Sequence, residues 1–193
     1  MPTLAEKLNA AVARYDADDN LGAFMDGVRA LAKSASVDEL VTVAGPYKDR
    51  HEVIIPIYEH ITAQQPNDAK ALVALANAYW LTGRGPDVVG ELAERARKSD
   101  PQNRAAWHLW ALSEGDIRKR VARWSEVIAQ FPEDQLARAA LADNAAGLAG
   151  AEHDPLALDL AVKTYEGLWA EASTPTQRRA LEETLQTLKG WKL

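Results

Sequence analysis

Three times this chain interrupts a helical run with a proline and resumes it within a few residues. The stretches are "HITAQQPNDAKAL" (60–72), "KSDPQNRAAW" (98–107) and "AQFPEDQLARAAL" (129–141). The prolines, Pro66, Pro101 and Pro132, recur at 35 and then 31 residues. A period in this range is the mark of a repeat architecture, in which each unit is one supersecondary element. The residues before each proline repeat as well. They read Ile54, Tyr58, Ile61; then Val89, Ala93, Ala96; then Arg120, Trp124, Val127. A fourth set, Ala161, Tyr165, Leu168 and Ser173, keeps the spacing and lacks the proline.

The helix after each break has its own register. It reads Leu72, Leu75, Ala76, Tyr79; then Trp107, Trp110, Ala111; then Leu141, Ala142, Ala145; and an earlier set, Leu40, Val43, Ala44, Tyr47, fits the same spacing. Two antiparallel helices approach closely only where their side chains are small, and Ala44, Ala76, Ala111 and Ala142 supply that contact. Each large residue beside them gains roughly 1.5–3 kcal/mol on full burial. A lone hairpin leaves one apolar face in water, so the hairpins must stack. Proline after the second helix ends it and presets the turn into the next unit.

Ala, Leu, Glu, Arg, Lys and Gln, all good helix formers, run through the chain, and alternating β-branched stretches are almost absent. The one strand candidate, "HEVIIPI" (51–57), contains Pro56 and runs into "YEHIT" at helical spacing, so it reads poorly as a strand. The class is all-α, with about ten helices. Asp18, Asp19 or Asn20 is placed to cap a helix running to Lys33, and Ser36 with Asp38 and Glu39 looks like another helix start. "TGRGPD" (82–87), Gly115-Asp116, "GAEHDP" (150–155) and "STPTQ" (173–177) divide the later helices.

This pattern resembles the tetratricopeptide repeat, W-x2-L-G-x2-Y followed by A-x3-F-x2-A and P over ~34 residues. "LVALANAY" (72–79) and "WHLWA" (107–111) match its first half; "IPIYEHITAQQP" and "AVKTYEGL" match its second. The resemblance covers about residues 36–173 and implies a right-handed superhelix of stacked antiparallel hairpins, an α-solenoid with flanking capping helices. A different α-hairpin solenoid or an irregular bundle is the alternative. As one domain, 1–193 divides into N-terminal helices (1–35), hairpins at 36–66, 67–101, 102–132 and 133–173, and a C-terminal capping helix (174–193). The chain departs from the family pattern in having Ala where Gly is usual and Arg120 and Arg138 at apolar positions. Pro46 and Pro56 fall inside the first hairpin, which is the least regular, and Trp191 near the terminus either caps the core or meets a partner.

Charge and chemistry narrow the function. The net charge of -6 opposes nucleic acid and anionic membranes. The basic run "DIRKRVAR" (116–123), with Arg95, Arg97, Lys98 and Arg104, is the one candidate patch; it reads better as the solvated side of a helix that buries Ile117, Val121, Trp124 and Ile128. There is no cysteine, hence no disulfide or thiolate chemistry. "GRGPDVVG" (83–90) lacks the spacing and the Lys of a phosphate loop. His51, His60, His108 and His153 lack metal-ligand spacing, and no carboxylate pair or G-x-S-x-G elbow points to catalysis. No secretory leader and no membrane-spanning run is expected, which suits a cytoplasmic protein.

In the family it resembles, the first helices of successive hairpins line a concave groove that grips peptides. Carried over by position, that groove is lined by Lys70, Val73, Asn77 and Trp80, then Ala105, His108 and Leu112, then Leu136, Ala139 and Asp143. Asn77 would hydrogen-bond a peptide backbone, and Trp80 would supply a rigid apolar anchor. The Lys/Asn/Arg carboxylate clamp of some members is not reproduced, since Val73, Leu109, Leu136 and Ala140 stand in its other places. The expectation is a non-catalytic scaffold or adaptor with a protein or peptide partner and no cofactor. Self-association through an edge hairpin, giving a homo-oligomer, and a helical enzyme with an unrecognised site are the other readings.

Overall fold

A computed structural model describes residues 2–192. Among the described residues there are eleven α-helices, a single 3-10 turn and no strand. They fall into two compact units, Met1–Leu109 and Trp110–Leu193. The first holds α1 (Leu4–Asp18), α2 (Leu21–Lys33), α3 (Val37–Ala44), the 3-10 turn Gly45–Tyr47, α4 (His51–Gln64), α5 (Ala69–Leu81) and α6 (Pro86–Ser99). The division falls inside α7 (Arg104–Leu112). The second unit then carries α8 (Ile117–Gln130), α9 (Gln135–Glu152), α10 (Pro155–Glu171) and α11 (Pro175–Lys189).

The helix starts follow from side chains that satisfy orphan backbone N–H groups. Thr3 with Glu6, and Ser36 with Glu39, form reciprocal capping boxes. Asn20, Asp68, Asp116, Asp134, Asp154 and Thr174 each accept from an N–H in the first turn that follows. Such caps are typically worth about 1 kcal/mol each. Pro86, Pro155 and Pro175 stand at first helical positions, where the missing N–H costs nothing. Gly83 and Gly85 take φ of 72° and 94°, which lets the α5–α6 turn reverse within four residues, 82–85.

Consecutive helices pack side by side. In the first unit α1 lies on α2, α3 on α4 and α5 on α6, with α2 also against α4 and α4 against α5. In the second unit α8 lies on α9, α9 on α10 and α10 on α11. The alanines expected at the tight contacts are there: Ala44 is 1% exposed, and Ala76, Ala111 and Ala142 are 0% exposed. The partner register is buried too, through Ile54, Ile61, Val89, Ala93, Ala96, Trp124, Val127, Ala161 and Tyr165. Tyr58 and Trp107 are half-buried.

The two irregular prolines have separate outcomes. Pro46 sits in the 3-10 turn that ends α3 early, and the Tyr47 hydroxyl beside it donates to Asn9 Oδ1. Pro56 is buried within α4, which runs through it as one helix. A proline in a helix interior costs about 3 kcal/mol, and α4 offsets that by burying Val53, Ile54, Ile55, Ile57 and Ile61 around it. Trp191 lies over α9, its ring 3.4 Å from where a Cβ on Gly150 would stand.

Candidate functional site

Lys70, Val73, Asn77 and Trp80 fall at i, i+3, i+7 and i+10 on α5, so they share one stripe about 15 Å long. Lys70 and Asn77 are exposed, Val73 is half-buried, and Trp80 keeps 37% of its surface in solvent. Neither the Lys70 ammonium nor the Asn77 amide has a partner among the described residues; the Lys70 backbone N–H alone is engaged, donating to Asp68. Leu81, which sequence reasoning passed over, extends the stripe's end at 59% exposure. Its exposure could have been anticipated, since it lies beside Trp80 just before the "TGRG" turn.

The same stripe is anchored from behind. The Tyr79 hydroxyl donates to Glu59 Oε1 on α4 at 2.7 Å, and Arg84 lies over the Tyr79 ring at 5.0 Å. Burial, then the Glu59 hydrogen bond, pushes the Tyr79 phenol up to about 12, so it stays a neutral donor. His108 is half-buried on α7 in the first unit. Leu112, exposed at the end of α7, and Asp143, exposed on α9, belong to the second unit. Asp143 Oδ1 accepts the Tyr165 hydroxyl of α10, which ties that carboxylate to the neighbouring helix. On α9, Leu136 is 67% exposed and Ala139 half-buried.

A cavity of about 370 Å³ opens beside these α9 residues in the second unit. Ala139 of α9, Leu168 of α10, and Ala180 and Leu181 of α11 line its apolar part, with Glu171 and Gln177 among its polar residues. Glu171 binds Arg138 through both oxygens, each at 2.6 Å. That pairing holds the Glu171 carboxyl below the usual range. It also explains an arginine at an apolar position: the guanidinium is met by a carboxylate 33 residues away, and the side chain is only 17% exposed. Arg120, the other such departure, donates to the Gly115 carbonyl.

The three arginines of the basic run on α8 are engaged within their own unit, while Lys119 is exposed. Arg118 pairs with Asp154 at 3.0 Å and with Glu152, and Arg123 pairs with Glu114 at 2.8 Å and stacks over Trp110. Val121 and Trp124 are buried on its other side, with Ile117 and Ile128 half-buried. In the first unit Arg97 and Lys98 bind Glu94, and Arg95 donates to the Pro66 carbonyl. No helix among the described residues is long and apolar enough to cross a membrane.

Neither protein-family models nor curated protein sequences give a match to this chain. Solved structures do. The crystal structure of the MamA protein superposes with a TM-score of 0.59 at 13% identity, covering 90% of this chain and 98% of that one. TTC0263, a thermophilic TPR protein of Thermus thermophilus, superposes with a TM-score of 0.55 at 16% identity, covering 97% and 99%. The class is therefore an all-α protein of stacked helix hairpins. Its fold is the divergent tetratricopeptide-like one that the repeated prolines and alanines pointed to.

Proposed function

We propose that the chain is a non-catalytic adaptor that docks a protein or peptide segment on the exposed stripe of α5. One observation carries the reading. Trp80 projects a rigid apolar surface one turn from the Asn77 amide, with the Lys70 ammonium at the other end of the stripe, and the side-chain hydrogen-bonding capacity of both polar groups is unspent. Tryptophan is enriched among the few residues that carry most of the binding energy of protein interfaces. The fold supports the reading in general terms, because stacked hairpins create extended concave binding surfaces. By its position on α7, half-buried His108 would add to the contact within the first unit. Leu112 and Asp143 would offer the second unit's own contacts, Asp143 the weaker because Tyr165 already holds one of its oxygens.

The test is affinity purification from the source cell with wild-type chain and with the Asn77→Ala, Trp80→Ala double variant. The partner recovered by the wild type is then bound directly to both. Loss of binding by the double variant, with unchanged circular dichroism, is the expected result. Undiminished binding removes α5 from consideration. A second reading, self-association through the edge formed by the N-terminal helices α1 and α2, has its own observation. A cavity of about 300 Å³ lies between α1 and α2, lined by Ala10, Ala23, Gly27, Tyr15 and Phe24. Light scattering across concentration decides it, since a strict monomer ends that reading.

A further inference from the structure

We infer that the cavity bounded by α9, α10 and α11 receives an aliphatic side chain from an extended peptide segment that carries lysine or arginine next to that residue. This site lies in the second unit and goes beyond the α5 stripe proposed above. Its apolar lining is aliphatic and small on two sides, Ala139 and Ala180, which is why the space is left open between helices that otherwise pack closely. At about 370 Å³ it falls at the lower end of the range of small-ligand sites, enough for one leucine-sized side chain with its flanking backbone. Gln177 adds a side-chain amide whose Oε1 already accepts from the Ser173 and Thr174 hydroxyls, at 3.3 and 3.2 Å, so it offers its Nε2 as a donor to a peptide main-chain carbonyl.

The charge preference comes from the way the Arg138–Glu171 pair is set into the wall. The Arg138 side chain is 17% exposed, whereas that of Glu171 is 46% exposed. The pair therefore turns its anionic end to solvent and keeps its cation behind. Glu171 Oε2 accepts from both Arg138 and, at 3.4 Å, Gln135, whereas Oε1 accepts from Arg138 alone and still has a lone pair to offer a second donor. The chain's net charge of -6 acts in the same direction at longer range. An acidic segment would meet that wall with like charge, and a basic one would complete it.

The experiment titrates the full chain, labelled with 15N, with the peptide Ac-Gly-Lys-Leu-Lys-Gly-NH2. Two controls replace both lysines with glutamate or the leucine with alanine. Saturable shifts around Ala139, Gln177, Ala180 and Leu181 are expected, with a Kd of about 0.1–1 mM, reasonable for so short a ligand. The alanine peptide should bind at least about tenfold more weakly, the loss expected for one buried leucine side chain. The glutamate peptide should not saturate, and raising salt from about 20 to 200 mM should weaken the lysine peptide severalfold. Ala180→Leu, on an exposed position of α11, fills the cavity and should abolish the shifts; Asn77→Ala with Trp80→Ala should leave them intact. The inference is overturned by non-saturating shifts, by equal binding of the glutamate peptide, or by binding that survives Ala180→Leu. Shifts confined to α5 overturn it as well while favouring the adaptor stripe, so the two readings fail separately.

Discussion

Ala76 is the sharpest place to test why these hairpins close. Its methyl group is wholly buried on α5, where α4 and α6 both pack. If its size sets the separation of the helices, changes in either direction must cost stability. Ala76→Leu adds three carbons to a site with no access to solvent, and overpacking of this kind typically costs about 1–3 kcal/mol. Ala76→Gly removes one buried methyl, about 0.8 kcal/mol, and adds about 1 kcal/mol of helix propensity, for a loss near 2 kcal/mol. For a chain of this length each kcal/mol lowers Tm by roughly 2–4 °C, so Ala76→Gly should melt about 4–8 °C early. Thermal and urea unfolding followed by circular dichroism measure both, with Ala63→Leu on the exposed side of α4 as the control. Ala142→Leu repeats the perturbation in the second unit. If Ala76→Leu falls within about 0.5 kcal/mol of Ala63→Leu, the alanine does not govern the approach and the packing argument is wrong.

Other expectations follow from single contacts. Pro56→Ala restores a helix N–H in α4 at the loss of some buried ring, and should raise the urea midpoint by the equivalent of about 1–2 kcal/mol. Trp191→Ala uncovers Gly150; Gly150→Ala should then stabilise α9 by up to about 1 kcal/mol, and by less when the ring is present 3.4 Å from the new Cβ. At high pH the Tyr79 phenol, raised to about 12, keeps its proton while an unfolded tyrosine loses it near 10. Its contribution is therefore full below pH 10 and lost between 10 and about 12, which tyrosinate absorbance and unfolding midpoints measure together. At low pH the carboxyls of Asp16, Glu39, Glu94, Asp116, Asp154 and Glu171 are all depressed in the folded chain. Their stabilisation is present above about pH 4.5 and drains away below it, so the urea midpoint should fall progressively from pH 5 to pH 3.

The parts of the fold that the sequence made legible are those set by local spacing. Asn20, Ser36, Asp116 and Thr174 announce helix starts because a cap acts within three residues. Ala44, Ala76, Ala111 and Ala142 stand out because the repeat places a small residue beside a large one four times over. Contacts between residues far apart in the chain were not legible. Nothing near Arg138 in the chain names Glu171, 33 residues on, as its partner, and nothing near Asp143 names Tyr165. The cavity beside Ala139 was hidden for the same reason, since its walls come from three helices. The α5 stripe could be named because the family resemblance supplied its positions, and all four residues lie on one helix, where their spacing puts them on a common face.

A recurring contact accounts for what this surface leaves open. Arg97 lies over Trp107 at 4.7 Å, Arg123 over Trp110 at 4.7 Å, and Arg178 over Trp169 at 5.6 Å. Arg50 lies over Tyr15 at 5.9 Å while both of its arms reach Asp16. Each contact draws a guanidinium down onto an aromatic face inside its own unit, where desolvation strengthens the attraction. Arg97, Arg123 and Arg50 also carry a carboxylate partner, so their positive charge is largely cancelled before it reaches solvent. A nucleic acid needs cations free to displace its counterions, and these side chains have been committed to the fold instead. What stays uncommitted on α5 is one ammonium, one amide and a tryptophan, and on the wall of the α9–α11 cavity the outward half of an ion pair. Groups so few and so particular suit the side chains and main chain of a polypeptide far better than a long line of phosphates.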